Sequence, residues 1–66
     1  MKAAAAFARL FGRPEADIVM AYLKRITQER VLAPTASDGE LWFLEGQRAL
    51  VACIQSLIKQ GQEKGE

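Results

Sequence analysis

Ser37 and Glu40 stand three residues apart at the head of an apolar run, and they fix where the longest helix of this chain begins. A serine hydroxyl at that position accepts from the backbone N–H three residues on, and a glutamate there can reach back. From Leu41 to Lys59 the residues Leu44, Gln47, Leu50, Val51, Ile54, Leu57 and Ile58 recur at helical spacing and form one broad face. Gly61 is expected to stop this helix, and residues 62–66 to fray as a polar tail.

Two more helices are readable upstream. Pro14 suits the first position of a helix, because its missing N–H would go unpaired there anyway. Glu15 and Asp17 follow in the first turn, where the exposed amides favour negative charge. Ile18, Val19, Tyr22, Leu23 and Ile26 then mark one side, with Lys24, Arg25, Gln28 and Glu29 opposite. Pro34 forbids continuation, so the helix is expected over about 14–31. Near the start, an alanine run favours helix over about 2–11, with Ala3, Phe7, Leu10 and Phe11 as its apolar side and Gly12 as its stop.

These lengths predict an all-α fold in one small domain spanning 1–66. Its body is an antiparallel helical hairpin of about 14–31 and about 38–60. The short N-terminal helix folds across the open end, where Phe7 and Phe11 are expected to cover Leu57 and Ile58. A chain of 66 residues buries only roughly 60% of its unfolded surface, and such a core supplies about 3–5 kcal/mol. Docking, on a partner or on copies of itself, is therefore expected from size alone.

Composition narrows the chemistry. The chain has no His and one Cys. That excludes Ser–His and Cys–His nucleophile pairs, His-containing zinc sites and internal disulfides. No phosphate-cradling glycine loop, metal-ligand spacing or acid–base carboxylate pair is present in the sequence. The expectation is a protein that is not an enzyme and takes no cofactor. A net charge of +1 offers no bulk attraction to nucleic acid or to an anionic membrane. The apolar start is broken by Arg9 and does not read as a secretion signal, and no run approaches a membrane span.

Several side chains stand out. Trp42 and Phe43 are consecutive and cannot both face one stripe. Phe43 aligns with Leu50, Ile54 and Leu57 and is expected in the core. Trp42 aligns with Ala49, Ala52 and Ser56, and two readings stay open. It lies over the loop 31–35, or it is an exposed anchor beside an alanine groove for a partner helix. Trp42, Ala49 and Ala52, with Phe7 and Phe11, form the candidate partner-binding set. Glu45 and Arg48 lie one turn apart and read as a structural pair, with Glu29 as a second acid within reach of Arg48. Gly46 costs about 1 kcal/mol mid-helix relative to Ala, which is explained by tolerance or by close approach of another backbone. Cys53, among apolar neighbours, is expected to be buried. Lys24, Arg25 and Arg30 are the residues a nucleic-acid interface would use, but acids interleave them and a solvated face is the better reading.

Arg13-Pro14-Glu15-Ala16 at a helix start, then Glu29-Arg30-Val31-Leu32, then Leu44-Glu45-Gly46-Gln47-Arg48-Ala49-Leu50-Val51, resembles a family of small proteins of tailed phages and prophages. The resemblance covers about residues 10–58, and Glu45-Gly46-Gln47-Arg48 is its most specific piece. Such proteins are usually encoded near head, portal and packaging genes. The resemblance implies an accessory in particle assembly, found in the host cytoplasm or the virion, whose partner is itself or a phage structural protein. It supplies no catalytic residues. The alternatives are a nucleic-acid accessory near DNA packaging and a small inhibitor of a host enzyme.

Overall fold

A computed structural model describes residues 2–63. Among the described residues the order is α1 (Lys2–Leu10), α2 (Pro14–Ile26) and α3 (Asp38–Glu63), with no strand. The fold is all-α, as the periodicities require. Its boundaries differ from expectation at two places, each with a physical reason.

The first is the end of α2, five residues earlier than the expected 31. Thr27 leaves helical geometry at φ −125°, ψ −77°. Its hydroxyl donates back to the Leu23 carbonyl at 2.6 Å, and the Glu29 N–H donates to the Lys24 carbonyl at 2.9 Å. The last turn is thus closed locally, and Thr27 is buried at 3% exposure. Pro34 is not what stops the helix. Residues 27–37 form the link to α3, longer than the seven or so expected.

The second is the end of α3. Gly61 does not terminate the helix, which runs through it to Glu63. Gln62 and Glu63 are therefore helical, and residues 64–66 of the expected tail lie outside the described residues. Gly61 is buried because α1 lies against it. A Cβ on Gly61 would fall 2.6 Å from the Ala8 Cβ and would overlap the Ala4 carbonyl oxygen. Only glycine lets the two backbones meet here.

This contact makes α1 on α3 the closest packing in the chain. The buried side of α1 is Ala4, Ala5 and Ala8, not the expected Ala3, Phe7, Leu10 and Phe11. Ala4 and Ala5 are buried and Ala8 is half-buried, while Ala3 and Leu10 are exposed. Phe7 and Phe11 are half-buried and stack on each other, ring centroids 6.2 Å apart and planes 16° from parallel. At Gly61 itself it is the small side of α1, Ala4 and Ala8, that meets α3.

The hairpin of α2 and α3 is open by comparison. They touch at few places, and no residue of α2 is buried. Ile18, Val19, Tyr22 and Ile26, expected to face α3, are exposed. On α3, Leu44 and Val51 are buried, and Gln47, Ile54, Leu57 and Ile58 are partly covered. Leu50 departs from the expected stripe and is 63% exposed. The start of α3 is as the sequence requires, with the Ser37 hydroxyl accepting from the Glu40 N–H at 3.1 Å.

The result is a thin layer. The Cα extents are 45 × 23 × 13 Å and the radius of gyration is 14.1 Å, against about 11 Å for a compact chain of this length.

Candidate functional site

The Glu45-Gly46-Gln47-Arg48 segment and the part of α3 around it show three separate features. Arg48 points back across the start of the link. Its Nε donates to the Thr27 carbonyl at 2.9 Å, one terminal nitrogen donates to the Arg30 carbonyl at 2.6 Å, and the other meets Glu45 Oε1 at 2.5 Å. The planar fork of the guanidinium allows all three at once. Glu29, the acid expected to pair with Arg48 from α2, is not its partner. The Thr27 and Arg30 carbonyls just past the end of α2 take that place, the Thr27 carbonyl also accepting from the Arg30 N–H at 3.3 Å. Glu45 is exposed and its ion pair with Arg48 spans one turn. The pair anchors the guanidinium rather than adding much by itself. Below it, Gln28 donates to Gln55 at 2.9 Å. Gln47 Oε1 is buried without a hydrogen-bond partner among the described residues.

Gly46 has a different role from the one its position suggested. Nothing lies within 4 Å of a Cβ built there. No backbone of this chain approaches it, so within the chain the closely approached glycine is Gly61.

The third feature is what α3 leaves uncovered. Trp42 is 73% exposed and does not lie over the loop 31–35. Phe43, expected in the core, is 69% exposed. Cys53, expected to be buried, is an exposed free thiol, and Ala49 and Ala52 are exposed. All of these follow from one cause. The covered side of α3 is centred on Leu44 and Val51, and residues one or two positions away from Leu44 rotate away from it by about 100° each. Leu41, Trp42, Phe43 and Leu44 are apolar on every side of the helix, and a thin layer covers only one of those sides. That all-round apolarity is the sequence signal from which the exposure of Phe43 and Leu50 was readable.

The candidate partner-binding residues do not form one surface. Trp42 and Ala49 share a side of α3, with Ala52 at its edge. Ala4 and Ala8 fix α1 at Gly61, about 28 Å along the helix from Trp42, so Phe7 and Phe11 sit at the far end. A second apolar area lies there. Leu10, Phe11, Ala16 and Val19 line a shallow notch between α1 and α2, edged by Arg13 and Glu15.

The basic residues proposed for a nucleic-acid interface are not gathered either. Arg25 lies over the Tyr22 ring, 5.4 Å from its centroid. Lys24 and Arg25 line a groove together with Asp17 and Glu29, so opposite charges share the same wall. Arg30 is exposed, and its carbonyl is held by Arg48. Among the described residues no helix is long and apolar enough to cross a membrane, and no group of three His, Cys, Asp or Glu side chains could hold a metal ion.

A thin three-helix layer with open apolar sides and a polar clasp defines a small all-α protein built around surfaces rather than a cleft. The model of the Bbp19-like phage protein family matches residues 7–63, and the chain belongs to that family. No curated protein and no solved structure matches it. The family match spans the Glu45–Arg48 segment and most of the chain, but leaves out the first alanines of α1.

Proposed function

We propose that this chain is a non-enzymatic accessory in phage particle assembly, which works by docking its helix faces on itself or on a larger phage structural assembly. Membership of a phage protein family supports the setting. The single observation that carries the mode of action is the exposure of Ile18, Trp42 and Phe43 at 74%, 73% and 69%. Side chains of this size anchor interfaces when they are exposed in the free protein, aromatics above all. The accessible surface of 5023 Å² exceeds by about a fifth the roughly 4,200 Å² of a folded monomer of this mass. The surplus is what a docked component covers.

The test is sedimentation of assembly intermediates and finished particles from cells producing the phage, with the chain followed by antibody. The chain is expected to travel with at least one particle form, and Trp42→Ala or Ile18→Ser to reduce that fraction. A chain that stays at low mass at every stage of assembly, with or without the substitutions, overturns the reading.

A further inference from the structure

The exposed side of α3 has a pattern of its own. Phe43, Gly46, Leu50 and Cys53 are spaced by three, four and three residues, so they fall on one helix side, turned about 130° from Leu44 and Val51. Along this line the side chains read large, absent, large, small. Phe43 and Leu50 are 69% and 63% exposed, Cys53 is exposed, and the space above Gly46 is open. The spacing is symmetric about residue 48. Turned end for end, the same line sets Phe43 over Cys53 and Leu50 over Gly46, in both directions at once. Each bulky residue then meets a small one, as ridges meet grooves between packed helices. A two-fold interface requires that kind of self-complementarity.

Charge permits the same pairing. A face laid on its own copy meets its own charges. Among the described residues from Leu41 to Ser56, the ionisable groups other than the Cys53 thiol are Glu45 and Arg48, off this line and bound to each other, and at the Phe43 end Arg30 and Glu40, of opposite sign, line a groove with it. Size fits as well. The whole chain, the open side of α2 included, exposes about 800 Å² more than a folded monomer of its mass, which leaves room for an interface of standard size, roughly 800 Å² per partner. Trp42 and Ala49 border the line and extend the buried area.

From these observations we infer that the occupant of this face is a second copy of the chain, paired antiparallel through α3 with Leu50 seated above the partner's Gly46. The inference rests on the docking reading above and names one partner for it. It leaves the apolar side of α2 free for the larger assembly.

The test is the solution mass of the full chain by light scattering from about 1 to about 500 µM, a range that brackets weak and strong self-association. The expected mass approaches twice 7.3 kDa. Leu50→Glu, which changes an exposed side chain of the free chain, is expected to weaken the dimer at least about 100-fold while helicity by circular dichroism stays unchanged. Phe43→Cys sets a thiol opposite the partner's Cys53 and is expected to give a disulfide-linked dimer on mild oxidation, whereas the unsubstituted chain does not cross-link. A monomer throughout the range overturns the inference, as does a dimer indifferent to Leu50→Glu. Cross-linking of the unsubstituted chain through Cys53 overturns the antiparallel pairing. A monomer that still travels with particles defeats this inference alone. A dimer that never does so defeats only the assembly reading.

Discussion

The two contacts that α3 makes within the chain are of opposite kinds. Against α1 it is a backbone-on-backbone contact, with Gly61 lying on Ala4 and Ala8. Against the end of α2 it is polar and pointwise, through Arg48 on two carbonyls and Gln28 on Gln55. The first depends on the absence of atoms and tolerates no addition. The second depends on a few directed hydrogen bonds and holds only the last turn of α2, so the rest of that helix keeps its apolar side free. A small chain can therefore fix one helix by shape and tether another by hydrogen bonds, and the tethered one stays available.

The largest expected effect breaks the first contact. Gly61→Val places side-chain atoms where the α1 backbone runs, and α1 must move away. A loss of about 1–3 kcal/mol is expected in thermal unfolding, with faster amide exchange in α1. Arg48→Ala addresses the second contact: it removes the side-chain donors from the carbonyls of Thr27 and Arg30, of which Thr27 keeps the Arg30 N–H. About 2 kcal/mol is expected, and Arg48→Lys should recover little of it, since an ammonium does not reach three acceptors in one plane. If Arg48→Lys matches the parent in urea unfolding, the fork geometry is not what matters.

Smaller changes sharpen the contrast. Gly46→Ala meets open space and should raise stability by about 1 kcal/mol in dilute solution, opposite in sign to a substitution at Gly61. Ser37→Ala removes the cap of α3 and should lower stability by about 1 kcal/mol. Glu45→Gln leaves Arg48 its carbonyls, and a change of about 0.5 kcal/mol or less is expected by the same measurement.

Local rules were legible in the sequence where a few neighbouring residues decide the outcome. Pro14 and Ser37 start helices because each satisfies, or dispenses with, backbone donors next to it. The covered side of α3 around Leu44 and Val51 also follows from spacing. What spacing could not supply was the identity of the neighbour. Phe43 and Leu50 lie on an apolar stripe wide enough for two partners, and the chain itself provides only one. Gly46 and Gly61 are both glycines in the same helix, and which is approached depends on where α1 comes to rest, set by contacts some fifty residues distant. Arg48 was legible as a structural residue but not its acceptors, because an early end to α2 creates them. For the candidate site, Trp42 and Ala49 were legible as one surface. Phe7 and Phe11 belong to the other end of α3, which their expected place near Leu57 and Ile58 already implies.

The seat of α1 at residue 61 also sets an order of events during synthesis. A helix of nine residues is marginal on its own in water. The glycine that receives it leaves the ribosome almost sixty residues later. Until Gly61 has emerged, α1 therefore has no native place to rest. The tightest contact of the fold thus joins residues far apart in the chain, and its formation carries the entropic cost of closing that long loop.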